Sequence, residues 1–184
     1  MNGIGAGSGG TVLGILNMRT LQLSTASVRG AALMTTMALS LMSMPASAAG
    51  NDTAAVLAAN AQFYTALNKM FTGDAVSMNA VWSHADDVTY MGPTGEVDVG
   101  WNAVLKNWQA QAKLKLGGEV KPVEMHLIVG QDLAIVSDYE QGANTNAKGK
   151  TEHVKLRATN MFRKEGGQWK MVGHHTDLLP YLAK

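Results

Sequence analysis

Two adjacent histidines, His174 and His175, lie near the C-terminus in the segment GHHTD, residues 173–177. An imidazole titrates close to neutral pH, so either side chain could accept or donate a proton during a reaction. Neighbouring side chains of a strand point to opposite faces of the sheet. We therefore expect one of the two histidines to face inward and the other to face outward.

The residue types along this segment predict which histidine faces inward. Alternation divides the strand into two sets, which are Trp169, Met171, Gly173, His175 and Asp177 on one face and Lys170, Val172, His174 and Thr176 on the other. Tryptophan and methionine are typical of the face that packs against helices. The pattern predicts that His175 faces inward, either as an acid–base residue or as a buried histidine hydrogen-bonded to backbone or to Asp177. His174 is predicted on the outer face.

Arg157 is one of two arginines that follow residue 48. Alternation places it on a strand face with Thr159 and Met161. A guanidinium group inside a pocket would bind a carboxylate or another anion through two hydrogen bonds. The alternative is an exposed arginine, or one that pairs with Glu140 or Asp138 on a neighbouring strand.

Aromatic residues are spread over several predicted elements and could form either a core or the wall of an apolar pocket. Trp101 and Trp108 are seven residues apart and share one face of a helix. With the inward Trp169, the full candidate set is Tyr64, Trp82, Tyr90, Trp101, Trp108 and Trp169.

The spacing of potential metal ligands and nucleophiles predicts neither a metal site nor a cofactor. The chain has no cysteine, and His84, His126 and His153 are far apart in the sequence. Neither the paired-histidine spacing of zinc enzymes nor a G-x-S-x-G nucleophile motif is present.

Hydrophobic periodicity predicts three helices followed by strands. A helix capped by Asp52 or Thr53 is expected to run to Phe71, a short one to follow Asp74, and a third to run from Gly100 to Gly117 and Gly118. Strands are predicted over residues 87–91, 120–129, 133–141, 153–164 and 169–177. The order predicts an α+β domain in which helices pack across one face of a curved antiparallel sheet.

The N-terminal segment has the order of a secretory signal peptide. Two arginines precede an uncharged apolar run over residues 30–44, and Ala46-Ser47-Ala48 follows as a small-residue cleavage site. We predict a leader and signal peptide over residues 1–48, in which residues 1–17 could precede the true start at Met18. The predicted location is therefore exported, periplasmic or secreted, with no membrane span after cleavage.

Removal of this segment changes the charge balance of the chain. The 15 lysines and arginines fall to 13 with the loss of Arg19 and Arg29, whereas the 14 aspartates and glutamates all remain. A nucleic-acid partner requires a basic surface, so none is expected.

Two stretches of the sequence resemble a known family. Residues 82–108, WSHADDVTYMGPTGEVDVGWNAVLKNW, are similar to the helix–strand–turn–helix passage of the nuclear transport factor 2-like superfamily. Residues 156–177, LRATNMFRKEGGQWKMVGHHTD, resemble its final hairpin in the SnoaL-like and ketosteroid-isomerase-like branch. The resemblance covers residues 52–182 and defines a domain over 49–184. It implies a cone-shaped α+β fold, with three N-terminal helices over the concave face of the sheet, a deep pocket, and a homodimer formed through the outer face.

The resemblance also argues against steroid isomerisation. In ketosteroid isomerases, the general base is an aspartate immediately before the proline of the turn that follows the first strand. Gly92 precedes Pro93 here, and glycine cannot accept a proton. The tyrosine that stabilises the oxyanion would fall at Phe63 or Tyr64.

The leading hypothesis is therefore an exported SnoaL-like domain that binds a small, partly apolar molecule, either neutral or anionic, in a cone-shaped pocket. Its predicted binding residues are Tyr64, Trp82, Tyr90, Trp101, Trp108, Arg157, Trp169 and His175. One alternative is a lyase, isomerase or hydrolase that uses His175 as acid and base. The other is a non-catalytic dimerisation or assembly module that uses the outer sheet face.

Overall fold

The computed structural model of the chain describes residues 47–146 and 148–177. The predicted leader and signal peptide lie outside these residues except for their last two positions. The helices are α1 (Ser47–Met70), α2 (Met78–Val81) and α3 (Trp101–Ala112). The strands are β1 (Thr89–Met91), β2 (Val97–Val99), β3 (Glu119–Val129), β4 (Leu133–Thr145), β5 (Thr151–Glu165) and β6 (Gln168–Asp177).

Helix α1 buries one apolar stripe, as its periodicity predicts. Val56, Phe63, Leu67 and Met70 are all buried along it. The predicted cap at Asp52 is wrong, because the helix begins at Ser47 and the Asp52 carboxylate instead binds Lys164 Nζ at 2.6 Å.

The six strands form one curved sheet in the order β2-β1-β6-β5-β4-β3. Strands β3 to β6 form the predicted antiparallel meander. The short strand β2 was not predicted; it pairs with β1, which lies parallel to β6. The predicted α+β class with a curved sheet is confirmed.

The core lies between one face of the sheet and the helices. From the sheet, Val120, Val136, Phe162 and Met171 are fully or almost fully buried, and Trp108 of α3 packs in the same cluster. None of the helices in the described part of the chain is long and apolar enough to cross a membrane.

A β-bulge in β6 changes which of its residues face inward. Phe162 pairs with Met171 and Met161 pairs with Gly173, so Val172 has no partner in the register between β5 and β6. One extra residue reverses the alternation of side chains beyond it. The bulge lies where β6 changes its neighbour, from an isolated bridge between Met171 and Trp82 to the pairing with β1.

The predicted orientations of the two histidines are therefore wrong. His174 is only 3% exposed and lies on the face that packs against the helices. His175 is half-buried on the outer face, where its Nε2 lies 3.2 Å from Thr89 Oγ1. The alternation predicted from Trp169 and Met171 holds only up to the bulge.

Candidate functional site

A cavity of about 380 Å³ lies between the inner face of the sheet, α1, α3 and the turn after β1. Its buried or half-buried wall is mostly apolar and includes Leu67, Phe71, Tyr90, Trp108, Val120, Val154 and Leu156. Glu140, His174 and Thr176 add polar groups that are also buried. The exposed members Pro93, Thr94, His153 and Lys155 lie at the rim.

Three residues that line this cavity each have a buried side-chain atom without a hydrogen-bond partner. Among residues 47–146 and 148–177, no group bonds to Glu140 Oε1, Thr176 Oγ1 or Trp108 Nε1. A buried polar group that lacks a partner costs about 1–3 kcal/mol. The wall of the cavity therefore holds a carboxyl oxygen, a hydroxyl group and an indole N–H whose hydrogen bonds are not made within the described residues.

Glu140 is the most strongly perturbed acid of the site. It is 4% exposed, and burial, followed by the nearby charge of Asp138, raises its pKa to about 7. Both the protonated and the ionised forms of Glu140 are therefore populated near neutral pH.

His174 is held as a neutral imidazole in one tautomer. The Asn160 amide nitrogen donates to Asn60 Oδ1 at 2.9 Å, which leaves Asn160 Oδ1 to accept a hydrogen bond from His174 Nδ1 at 2.6 Å. The proton is therefore on Nδ1, and Nε2 carries a lone pair 3.7 Å from Glu140 Oε1. Burial, followed by the charge of His175, lowers the pKa of His174 to about 3.

The same network extends to a second acid behind the cavity. Tyr64 donates its hydroxyl proton to Asp138 Oδ1 at 2.9 Å, and Asn160 Nδ2 lies 3.4 Å from Asp138 Oδ2. Burial raises the pKa of Asp138 to about 6, although the Tyr64 hydrogen bond opposes it. We call Asn60, Tyr64, Asp138, Asn160 and His174 the buried polar network.

The structure brings together only part of the predicted aromatic set. Tyr90 and Trp108 line the cavity, and Tyr64 belongs to the buried polar network behind it. Trp82 and Trp101 stack on each other in the core, with ring centroids 6.3 Å apart. Trp169 lines a separate groove beside α1. That any of these residues binds a ligand stays a prediction.

Arg157 does not face the cavity, and its predicted place there is wrong. The side chain is 60% exposed on the outer sheet face and binds Asp177 at 2.8 Å. Its predicted alternative partners, Glu140 and Asp138, are not the ones it contacts. The reason is the alternation of β5, which directs Ala158 and Asn160 inward and so directs Arg157 outward, where its charge stays hydrated.

Glu140, Asp138 and Asn160 were not identified from the sequence. Their signal was nevertheless present, because Ala134 and Val136 start an inward-facing set that continues at every second residue to Asp138 and Glu140. Acidic residues that continue an apolar alternation are candidates for a buried polar site.

Gly92, which stands where the resemblance would put a catalytic aspartate, makes room for another carboxylate. A Cβ atom at this position would clash with Glu96 Oε1 and lie 2.7 Å from the Tyr90 hydroxyl. Thr94 also donates a hydrogen bond to Glu96. The turn thus brings the Glu96 carboxylate close to Tyr90.

The described residues contain no cluster of three or more His, Cys, Asp or Glu side chains that could hold a metal ion. Among the side chains of the site, Glu140 can both accept and donate a proton near neutral pH, whereas His174 stays neutral and offers Nε2 as a hydrogen-bond acceptor.

The corrected positions of the two histidines predict unequal effects on stability. We expect His174→Ala to lower the free energy of unfolding by about 2–4 kcal/mol, because it opens a cavity and leaves Asn160 Oδ1 without a donor. His175→Ala is expected to cost less than about 1 kcal/mol, because that side chain is half-buried at the outer face. Urea unfolding at pH 7 measures both, and the reverse order would show that His175 is the inward residue.

Comparisons with known proteins agree with this architecture. A family model described as a SnoaL-like domain matches residues 56–179. A proposed dehydratase of the NTF2-like family from Streptomyces avermitilis is similar in structure, with a TM-score of 0.64 and 24% identity over 71% of this chain and 98% of that chain. A nuclear transport factor 2-like superfamily protein from Salmonella enterica has a TM-score of 0.62 and 14% identity, over 69% and 90% of the two chains. At these identities the likeness shows the fold alone.

Two further relatives are similar over most of the folded region. A proposed calcium/calmodulin-dependent protein kinase type II association domain from Thiobacillus denitrificans is 28% identical, with a TM-score of 0.55, over 67% of this chain and 94% of that chain. The F-box protein SKIP8 of Arabidopsis thaliana is 25% identical over 127 residues, which are 69% of this chain. The chain spans about half (51%) of the length of that curated relative.

Proposed function

Because this chain belongs to the SnoaL-like domain family, within the nuclear transport factor 2-like superfamily, we propose that its inner cavity binds a small, partly apolar molecule. The observation that carries the proposal is an apolar cavity whose wall includes Glu140 and Thr176, each of which has a buried oxygen without a partner in the described part of the chain. The volume of about 380 Å³ is in the range of small-molecule sites, about 300–1,000 Å³. An apolar wall with a few convergent polar groups is the usual composition of such sites.

The anionic ligand considered from the sequence has lost its support. That idea depended on Arg157, which lies on the outer face and is already paired with Asp177. Of the polar groups that remain, ionised Glu140 accepts hydrogen bonds and the Thr176 hydroxyl both donates and accepts them, so a ligand that donates hydrogen bonds suits both.

A thermal-shift screen of small apolar alcohols, amines and amides against the full chain tests the proposal. A compound that binds should raise the unfolding midpoint by several degrees at about 100 times its Kd. Thr176→Val keeps the shape of the side chain but removes its hydroxyl, so we expect it to weaken binding about tenfold.

Thr159→Val is the matched control, since Thr159 lies opposite His175 in the register and outside the cavity. It should leave the affinity of every hit unchanged. A screen in which no compound raises the midpoint would contradict the proposal. So would hits that lose equal affinity in Thr159→Val and Thr176→Val.

A second candidate is acid–base catalysis by a lyase or isomerase, which the geometry of His174 and Glu140 favours. Ionised Glu140, whose pKa is raised to about 7, would take a proton from a carbon of the substrate and then give that proton to the departing oxygen, so that water leaves. His174 has a pKa of about 3 and stays neutral, and its Nε2 would orient the Glu140 carboxyl group. The likeness to a proposed dehydratase shows only the fold but gives a reaction to test first. Glu140→Gln keeps the size of the side chain but cannot accept the proton, so it should retain the binding of neutral ligands and lose turnover by about 10²–10⁴-fold.

Export and the homodimer stay predictions. Fractionation of the host cells, with detection of the chain in each compartment, would test export. Light scattering in solution would test the second, and would also bear on an assembly role, for which the proposed kinase association domain is the relevant relative.

A further inference from the structure

The charges nearest the cavity are negative. Glu140 lies in its wall, Asp138 lies next to it in the buried polar network, and Glu96 lies close to the Tyr90 hydroxyl. The pKa of Tyr90 is raised by burial, and the charges of Glu96, Glu140 and Asp98 raise it further. The wall around Tyr90 therefore has a negative potential.

The cationic side chains near the cavity are directed away from Glu140. Lys155 is exposed at the rim, and its Nζ lies 5.8 Å from the centroid of the Tyr139 ring. Tyr139 precedes Glu140 on β4 and so points to the opposite face of the sheet. His153, also at the rim, is exposed.

The groups around Glu140 provide no positive charge. Its pairing partners on β3 and β5, Pro122 and Leu156, are uncharged. The titratable side chains that face it are Tyr64 from α1, Tyr90 from β1, Asp138 from β4 and His174 from β6. His174 is the one member of this set that could become a cation, and it is held neutral by burial. In the described residues, an ionised Glu140 is thus a buried charge without a counter-charge.

Aromatic rings line the cavity next to this acid. The Tyr90 and Trp108 rings have centroids 4.6 Å apart and are inclined by 57°. The faces of tyrosine and tryptophan attract cations, and the attraction strengthens where water is excluded. Aromatic rings beside a carboxylate provide two of the attractions by which proteins bind organic ammonium groups.

We infer that the ligand of this cavity is a small organic cation, an amine or quaternary ammonium with an apolar body, whose charge lies against Trp108 and Tyr90 and is neutralised by Glu140. The inference rests on the proposed function, since it assigns a chemical class to the ligand of the same cavity. A buried carboxylate is stable only with a compensating charge or a proton. The cation supplies that charge, and the apolar body covers the remaining wall.

Binding of a cation is coupled to the loss of a proton from Glu140. At pH 6, most of the Glu140 population is protonated, because burial raises its pKa to about 7. A cation that requires the ionised form therefore binds more tightly as the pH rises from 6 to 8. Calorimetry at pH 6 in two buffers of different ionisation enthalpy should show close to one proton released per molecule bound.

Four probes that share one apolar body test the charge requirement. They are 2-phenylethylamine, trimethyl(2-phenylethyl)ammonium, 2-phenylethanol and 3-phenylpropionate, titrated into the full chain at pH 8 and low salt. We expect both cations to bind at least tenfold more tightly than the alcohol, and 3-phenylpropionate to bind most weakly. The quaternary ammonium has no N–H group, so its binding separates the effect of charge from that of hydrogen bonding.

Glu140→Gln should abolish the preference for the cations, whereas Glu152→Gln, at an exposed pair with Lys150, should retain it. The inference is overturned if the alcohol or the carboxylate binds as tightly as the amine, or if the preference survives in Glu140→Gln. Should the glutamine variant fail to fold, the comparison of the four probes on the wild-type chain still decides the result. If neutral compounds bind and both cations do not, the inference of a cationic ligand is wrong and the proposed ligand-binding function of the cavity stands. If no compound in the screen binds, both are wrong.

Discussion

Replacement of Asn160 by alanine is expected to lower the free energy of unfolding by about 3–5 kcal/mol. Asn160 is fully buried, and its amide group bonds to Asn60 Oδ1, Asp138 Oδ2 and the Nδ1 of His174. Alanine would leave these buried groups without their partner, and each such loss costs about 1–3 kcal/mol. Urea unfolding of the variant and the wild type at pH 7 gives the difference directly.

An exposed asparagine provides the control for this variant. The Asn79 side chain makes one hydrogen bond, to Val76 O, at the surface of the short helix α2. We expect Asn79→Ala to change the free energy of unfolding by less than about 1 kcal/mol. A cost for Asn160→Ala that is no larger than that for Asn79→Ala would show that the buried polar network does not hold the site together.

Glu140→Gln is expected to stabilise the protein at alkaline pH. The folded state raises the pKa of Glu140 from 4.5 to about 7, so it binds this proton more tightly than the unfolded state does. The stabilisation that the raised pKa of Glu140 gives to the folded state is fully present below pH 4.5 and is lost as the pH rises toward 7. The loss amounts to about 3–4 kcal/mol, since one unit of pKa corresponds to about 1.4 kcal/mol. The glutamine variant should therefore unfold at higher urea concentration than the wild type at pH 8 and at nearly the same concentration at pH 4.

Other buried groups alter the profile of the wild type, so the difference between variant and wild type is the quantity to measure. Asp138, whose pKa is raised to about 6, loses stability with rising pH between 3.8 and 6. His174, whose pKa is lowered to about 3, has the opposite sign and gains stability between pH 3 and 6.5. Both proteins contain these groups, but Asp138 is coupled to Glu140, because its charge is one cause of the raised Glu140 pKa. The sign of the difference at pH 8 is therefore the test. Glu152→Gln is the exposed control. If the free energies of unfolding of Glu140→Gln and the wild type depend on pH in the same way, the raised pKa of Glu140 is contradicted.

The fold could be predicted because its signals are repeated along many residues. The apolar stripe along α1 predicts a helix, and the alternation along the long strands predicts the meander. Both predictions hold even where single positions deviate from the pattern. Strand β2 was missed because its three residues, Val97 to Val99, are too few to show an alternation. Their pairing with β1 depends on contacts that form only when the chain is folded.

The site could be predicted less well because it depends on which face of the sheet each strand residue occupies, and that face alternates with every residue. Each inward residue of a strand is inferred by counting from another inward residue, so one uncounted residue reverses every later assignment. The extra residue Val172 did this for His174 and His175. The inward face predicted for Arg157 was counted from the wrong residues. Counting from Ala158 and Phe162, which are buried on the same strand, gives the correct outward face. Tyr90 and Trp108 needed no such count, and the structure places both at the cavity.

The bulge at Val172 also decides which partner the inward imidazole has. If β6 ran past β5 without the extra residue, Gly173 would pair with Asn160 and His175 would pair with Ala158, so His175 would face inward in place of His174. The inward imidazole would then lie two residues further along β5, away from the Asn160 oxygen that now accepts its Nδ1 proton. The bulge therefore sets the hydrogen bond that fixes the tautomer of the imidazole, as well as which histidine faces inward.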